Sequence, residues 1–149
     1  MSLEKHYALS LIYYSSRQKN AMPLHRALIR THHMTSRKKI QTLTKAAKTL
    51  NCAVVVKTGR PPGIMIVEAA NDSESEAQKV VESWVGVVRR LRYKDYQLLR
   101  MELVEKGDLG LEVGHVREFG DMKDLGKYLE ECGIWQWWRE HMGFARVET

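Results

Sequence analysis

Between Lys5 and Val67 the chain contains no aspartate and no glutamate. Residues 1–67 carry twelve lysines and arginines against Glu4 alone, whereas residues 68–149 carry twelve against seventeen acids, so a net charge of +11 faces one of −5. Cysteine is almost absent as well. Cys52 and Cys132 lie far apart and belong to no CxxC or Cys/His spacing, which excludes a disulfide scaffold and a structural zinc site and leaves two reduced, buried thiols. Six histidines are scattered except for His32-His33. Neighbours on a strand point to opposite faces, which is poor geometry for chelating one ion, so no metal is expected. No uninterrupted apolar run approaches the ~18 residues of a membrane span. The first residues also lack a charged-then-apolar leader, and the expectation is an intracellular protein, nuclear or cytoplasmic, without a membrane partner. Signatures of catalysis are missing too: no GxSxG, no Walker loop, no cysteine at a meaningful spacing from histidine, and no paired carboxylates in an apolar setting. The chain therefore reads as a non-enzyme with no cofactor and no small-molecule substrate.

What is present is the composition of an ordinary globular protein, 44% hydrophobic and 28% charged over 149 residues, enough for one domain with extensions. Residues 1–21 read as a separate N-terminal segment, helix or strand, that ends in a linker before Met22-Pro23 and has the look of the tail of an upstream domain. Residues 22–149 read as the domain proper. An acid-free basic stretch inside a folded domain points to a phosphate-rich partner, because neutralising phosphates releases counter-ions and supplies most of the affinity of nucleic-acid binders.

From Leu24 the pattern is regular. Leu24 to Met34 predicts a first strand, with Ala27, Ile29 and Thr31 on one face and Arg26, Leu28, Arg30 and His32 on the other. Thr35 or Ser36 offers an N-cap, and Ile40, Leu43, Ala47 and Leu50 recur at helical spacing until Asn51 closes the helix. Cys52 to Lys57 and Ile64 to Ala69 predict a hairpin around Gly59-Arg60-Pro61-Pro62-Gly63. Ser73 with Glu76 predicts a capping box opening a second helix with the stripe Ala77, Val80, Val81, Trp84, Val88 and Leu91. Tyr96 to Val104 alternates again as a fourth strand. A turn-rich stretch from Gly107 to Gly120, a helix from Asp121 to Cys132 stopped by Gly133, and an aromatic segment ending at Gly143 follow. The predicted class is α+β: a ferredoxin-like βαββαβ sandwich with both helices on one face of an antiparallel sheet and a C-terminal helical extension. That extension either covers part of the open face or packs on an edge.

Several of these residues form a pattern met elsewhere. The strand ending His32-His33-Met34, the helix opening Ser36-Arg37-Lys38-Lys39, the hairpin running into Gly63-Ile64-Met65-Ile66-Val67-Glu68, Trp84, Phe119 to Leu125, and Gly143-Phe144 occur in an order that resembles one family. It is the C-terminal domain family of the spliceosomal pre-mRNA-processing factor Prp-three, also found behind RWD domains as a domain of unassigned function. The resemblance implies a ferredoxin-like fold without enzymatic activity. For the splicing branch it implies a role in mRNA processing in the nucleus, on structured small nuclear RNA with a single-stranded overhang; for the RWD-associated branch it implies fold alone. The hairpin differs from the family's Gly-Lys-Pro-Gly-Ile by an extra proline and by Arg60 in place of lysine.

The first candidate site is the start of the first helix. Arg37, Lys38 and Lys39 occupy a turn where the macrodipole disfavours cations, and a bound phosphate would relieve that conflict with help from His32 and His33. Arg37, Lys38, Lys45 and Lys48 share the face opposite the apolar stripe and form a basic ridge. The second candidate is the open sheet face, where Arg26, Arg30 and His32 would lie near Tyr96 and Arg100. Arg60 adds a cation at the hairpin. Arg89, Arg90, Arg92 and Lys94, at the end of the second helix, are explained by the helix dipole alone. Trp135, Trp137 and Trp138 read as a hydrophobic anchor for the extension or, if exposed, as a docking patch for a protein partner.

Overall fold

The alternation read from Leu24 onward builds a sheet, and the sheet sets where every candidate residue ends up. In the computed structural model, which describes residues 22–143, the elements are β1 (Leu24–Thr31), α1 (Arg37–Leu50), β2 (Ala53–Lys57), β3 (Gly63–Ala70), α2 (Glu74–Arg90), β4 (Gln97–Val104), β5 (Val116–Phe119), α3 (Met122–Glu131) and α4 (Trp135–Met142). The expectations for residues 1–21 and for Phe144 lie outside the described residues. The protein is α+β, with a five-stranded mixed sheet in the order β4-β1-β3-β2-β5. Each neighbouring pair among β1 to β4 is antiparallel, and β5 adds parallel to β2.

Local chemistry explains the elements. Ser36 caps α1 by accepting from the Lys39 amide at 3.2 Å, and Asn51 closes it at φ 58°, a left-handed conformation that asparagine tolerates. Ile40, Leu43 and Ala47 then face the sheet, packing with Ala27, Ile29, Val54, Val56, Met65 and Val67. The stripe of α2 joins this layer through Ala77, Val81, Trp84, Val85 and Val88, and the wholly buried Trp84 donates its indole N–H to the Leu43 carbonyl, tying the two helices together. The start of α2 differs from the expected capping box. The Ser73 hydroxyl does accept from the Glu76 amide, but the Ser73 amide donates to Asn71 Oδ1 and Glu76 instead approaches Lys79, so the reciprocal bond is replaced by an Asx turn.

The second face of the sheet is covered. Leu28, Val55, Ile64 and Ile66 pack under Leu125, Leu129, Ile134, Trp138 and Met142 of α3, α4 and their connection. The molecule thus has three layers, helices on both sides of one sheet. This overturns the placement of Arg26 on an open face. Register sets Arg26 between Glu68 on β3 and Glu102 on β4, where it is wholly buried. Its Nε donates to Glu68 Oε2 at 2.5 Å, its Nη2 to the Gly107 carbonyl at 3.0 Å, and Trp137 stacks over it at 4.8 Å. The other Glu68 oxygen accepts from the Leu109 amide at 2.7 Å. Burial pushes the Glu68 carboxyl up, against the opposing pull of Arg26 and of that amide.

Candidate nucleic-acid interface

Antiparallel pairing decides which ends of the elements meet. Thr31 at the end of β1 faces Gly63 at the start of β3, Arg30 faces Gln97 at the start of β4, and Lys57 at the end of β2 lies beside Phe119 at the end of β5. An isolated bridge from Met34 to Gly59 brings the hairpin against the approach to α1. One end of the sheet therefore gathers Arg30, His32, His33, Arg37, Lys38, Lys39 and Arg60. It also gathers Arg92 and Lys94, which the helix dipole alone had seemed to explain; the Lys94 carbonyl accepts from the His32 amide at 2.8 Å. At the opposite end lie the first turn of α2 with Glu74 and Glu76, and the stretch containing Glu105, Asp108 and Glu112. The asymmetry seen along the sequence becomes an asymmetry in space. Lys45 and Lys48, by contrast, run along α1 away from the cationic end, and the loop at Gly114 packs on Lys48.

The cations at the start of α1 are not equivalent. Arg37 makes a bidentate pair with Glu118 of β5, at 2.7 and 2.8 Å, and Glu118 also accepts from the Thr58 hydroxyl at 2.7 Å. The Arg37 hydrogen bond holds the Glu118 carboxyl below its usual range. A protein carboxylate thus balances one of the cations at the helix start. Lys39 sets its ammonium over the Tyr93 ring at 4.7 Å. Lys38 and Arg60 remain exposed, with no partner for either cationic group among the described residues. The hairpin that carries Arg60 is braced from beneath. Lys57, buried by the sheet, donates to the Arg60 and Pro62 carbonyls at 2.6 and 3.1 Å, and burial together with the nearby Arg60 charge pushes its ammonium pKa down.

At this end a cleft of about 590 Å³ opens between the hairpin and the loop before β4, lined by Arg30, His32, Pro61, Pro62, Asp95, Tyr96 and Gln97. The space is within the ~300–1,000 Å³ typical of ligand sites. Arg30 Nη2 donates to Gln97 Oε1, His32 Nδ1 lies 3.5 Å from Asp95, and the rings of His32 and His33 are 5.1 Å apart. Tyr96 is fixed by its hydroxyl, which accepts from Arg89 Nε at 3.2 Å. Thr31 is buried on the cleft lining, and its hydroxyl has no hydrogen-bond partner among the described residues. Arg30 and His32 were expected beside Tyr96 and Arg100 on an open sheet face. Instead a register shift sets Arg30 opposite Gln97, Tyr96 packs against the core on the other face and Arg100 pairs with Glu102, so Arg30, His32 and Tyr96 share only the cleft at the sheet's end.

The three C-terminal tryptophans divide. Trp138 is core, Trp137 is half-buried over Arg26 with its indole N–H on Glu102 at 3.1 Å, and Trp135 is exposed, with Arg139 stacked on it at 4.7 Å. The anchor reading holds for Trp137 and Trp138; a docking patch could include only Trp135. Both thiols are free, and burial pushes Cys52 and Cys132 each up to about 12. Among the described residues no group of His, Cys, Asp and Glu side chains is arranged to hold a metal ion, and no helix is long and apolar enough to cross a membrane. No protein-family model matches the chain, and comparison with curated proteins yields no significant match.

Proposed function

We propose that the chain is a non-catalytic RNA-binding module, built on a four-strand ferredoxin-like unit (β4-β1-β3-β2) and extended by β5 and the C-terminal helices. The observation that carries this reading is the convergence of Arg30, His32, His33, Lys38, Arg60, Arg92 and Lys94 at one end of the sheet, beside a cleft that holds an aromatic ring, while Glu74, Glu76, Glu105, Asp108 and Glu112 lie at the other end. Backbone phosphates bind the exposed cations there, and counter-ion release drives association. The resemblance to the Prp-three family supports RNA over DNA and suggests a nuclear role in pre-mRNA splicing on a hairpin with a single-stranded overhang. The buried Arg26 and the Arg37–Glu118 pair narrow the surface to the hairpin, the end of β1 and the exposed start of α1.

Fluorescence anisotropy of a labelled RNA hairpin with a short overhang tests the proposal. Wild-type binding should weaken steeply between ~50 and ~200 mM salt. Lys38→Glu/Arg60→Glu should lose at least about tenfold in affinity, because each reversal removes a phosphate contact and adds a repulsion. Binding that ignores both salt and the double variant overturns the reading. A protein-interaction module is the second reading, favoured by β4, an eight-residue strand at the sheet edge with Leu103 exposed. Partner binding at that edge would be insensitive to Lys38→Glu/Arg60→Glu.

A further inference from the structure

We infer that the cleft between the hairpin and the loop before β4 is a guanine slot, taking one unpaired guanine nucleotide. This rests on the RNA-binding reading and sharpens it to a base identity. Its lining includes Pro61 and Pro62 of the hairpin and Tyr96 of the loop before β4, apolar surfaces against which a flat heterocycle stacks. The polar groups are not evenly mixed. Arg30 and Gln97 form a donor side: the Gln97 carbonyl oxygen is occupied by Arg30 Nη2, which turns the amide nitrogen and the remaining guanidinium N–H groups toward other acceptors. Asp95 supplies the acceptor side, a carboxylate whose only ion-pair partner among the described residues is His32, at 3.5 Å.

Guanine matches this division. Its O6 and N7 accept from an arginine fork, the commonest specific contact to that base. On its Watson–Crick edge N1–H and the 2-amino group are adjacent donors that a carboxylate accepts together. Adenine and cytosine each offer one amino group beside a bare ring nitrogen, and uracil offers one N–H between two carbonyls, so none presents two adjacent donors to Asp95. Asp95, in the loop before β4, adopts a left-handed backbone conformation, φ 57°. Arg60, beside Pro61, and His33, beside His32, stand at the rim where the nucleotide's phosphates would run.

The test uses the whole chain and four RNA hairpins that differ only in carrying G, A, C or U in an otherwise constant overhang. The guanine overhang should bind about tenfold tighter than the rest, the discrimination expected of one bidentate base contact. Asp95→Asn keeps the backbone, since asparagine accepts the left-handed conformation. It replaces one acceptor with a donor, so in this variant the preference should pass from guanine to xanthine, carried by a further hairpin, whose 2-carbonyl accepts where the 2-amino group donated. Equal, salt-sensitive affinity for all four overhangs overturns the guanine slot and leaves the RNA reading standing; absence of salt-sensitive binding to any of them overturns both. Competition by free GMP distinguishes the source of the nucleotide. Displacement at GMP concentrations near the overhang's own Kd assigns the slot to a free nucleotide, and displacement only far above it assigns the slot to the RNA strand.

Discussion

His25 lies in β1, between Ala69 and Leu103 on the flanking strands, buried and with Nδ1 lacking a hydrogen-bond partner among the described residues. Burial pushes its imidazole below the ordinary value, and the pull of Glu74 and Glu82 from α2 only partly offsets this. A base whose pKa is lowered by folding contributes stability that is present above its unfolded pKa, about 6.5, and is lost as pH falls through the folded one. Melting temperature followed from about pH 7.5 to pH 5 should therefore fall in the wild type and fall less in His25→Leu, which buries no charge. Parallel profiles would show that His25 titrates alike in both states. Arg26, its neighbour, teaches the same lesson from the other side. Alternation placed it correctly on the face opposite Ala27 and Ile29, but its burial follows from Trp137 and residues 106–109, which are remote in sequence. A period of two names a face and cannot say what covers it.

At the scale of elements, the Arg26–Glu68 pair joins β1 and β3 to the loop at Gly107 and Leu109, and Trp137 carries the connection on to α4. Gly107, at φ 74°, leaves no room for a side chain, since a Cβ would stand 2.8 Å from the Gly133 carbonyl oxygen. Replacing Glu68 alone by leucine should cost about 3–5 kcal/mol, because Arg26 would stay buried without its carboxylate. Arg26→Met/Glu68→Leu should recover most of that loss, and urea unfolding midpoints of the two variants measure the difference. Equal midpoints would mean that the pair is not coupled. The elements most legible in advance were those with self-contained signals: α1 with Ser36, its stripe and Asn51, and the β2–β3 hairpin around its prolines. The strand β5 was read as part of a turn-rich stretch. Four residues, Val116–Phe119, are too few for a periodic signal, and they become a strand only because β2 offers a free edge.

For the molecule as a whole, charge is arranged along the strands: cations outnumber Asp95 and Glu118 where β1 ends, and Glu74, Glu76, Glu105, Asp108 and Glu112 lie where it begins. A short RNA titrated into isotopically labelled protein should shift the amide resonances of residues 30–38, 58–63 and 92–97 and spare those of residues 72–76 and 105–112. Shifts centred on the acidic end would overturn the assignment of the interface. The sequence by itself determined the α+β class, the order of the first six elements, the apolar face of α1 and of α2 and the acid-free basic stretch, because each is carried by local periodicity, capping residues or composition. Only the tertiary structure decided which cations are free to meet a ligand. Glu118 reaches Arg37 across 81 positions and Glu68 reaches Arg26 across 42, and contacts between residues so distant leave no periodic trace in the chain. The cleft has the same origin, since the end of β1, a hairpin and the loop before β4 acquire a common space only when antiparallel register brings their ends together.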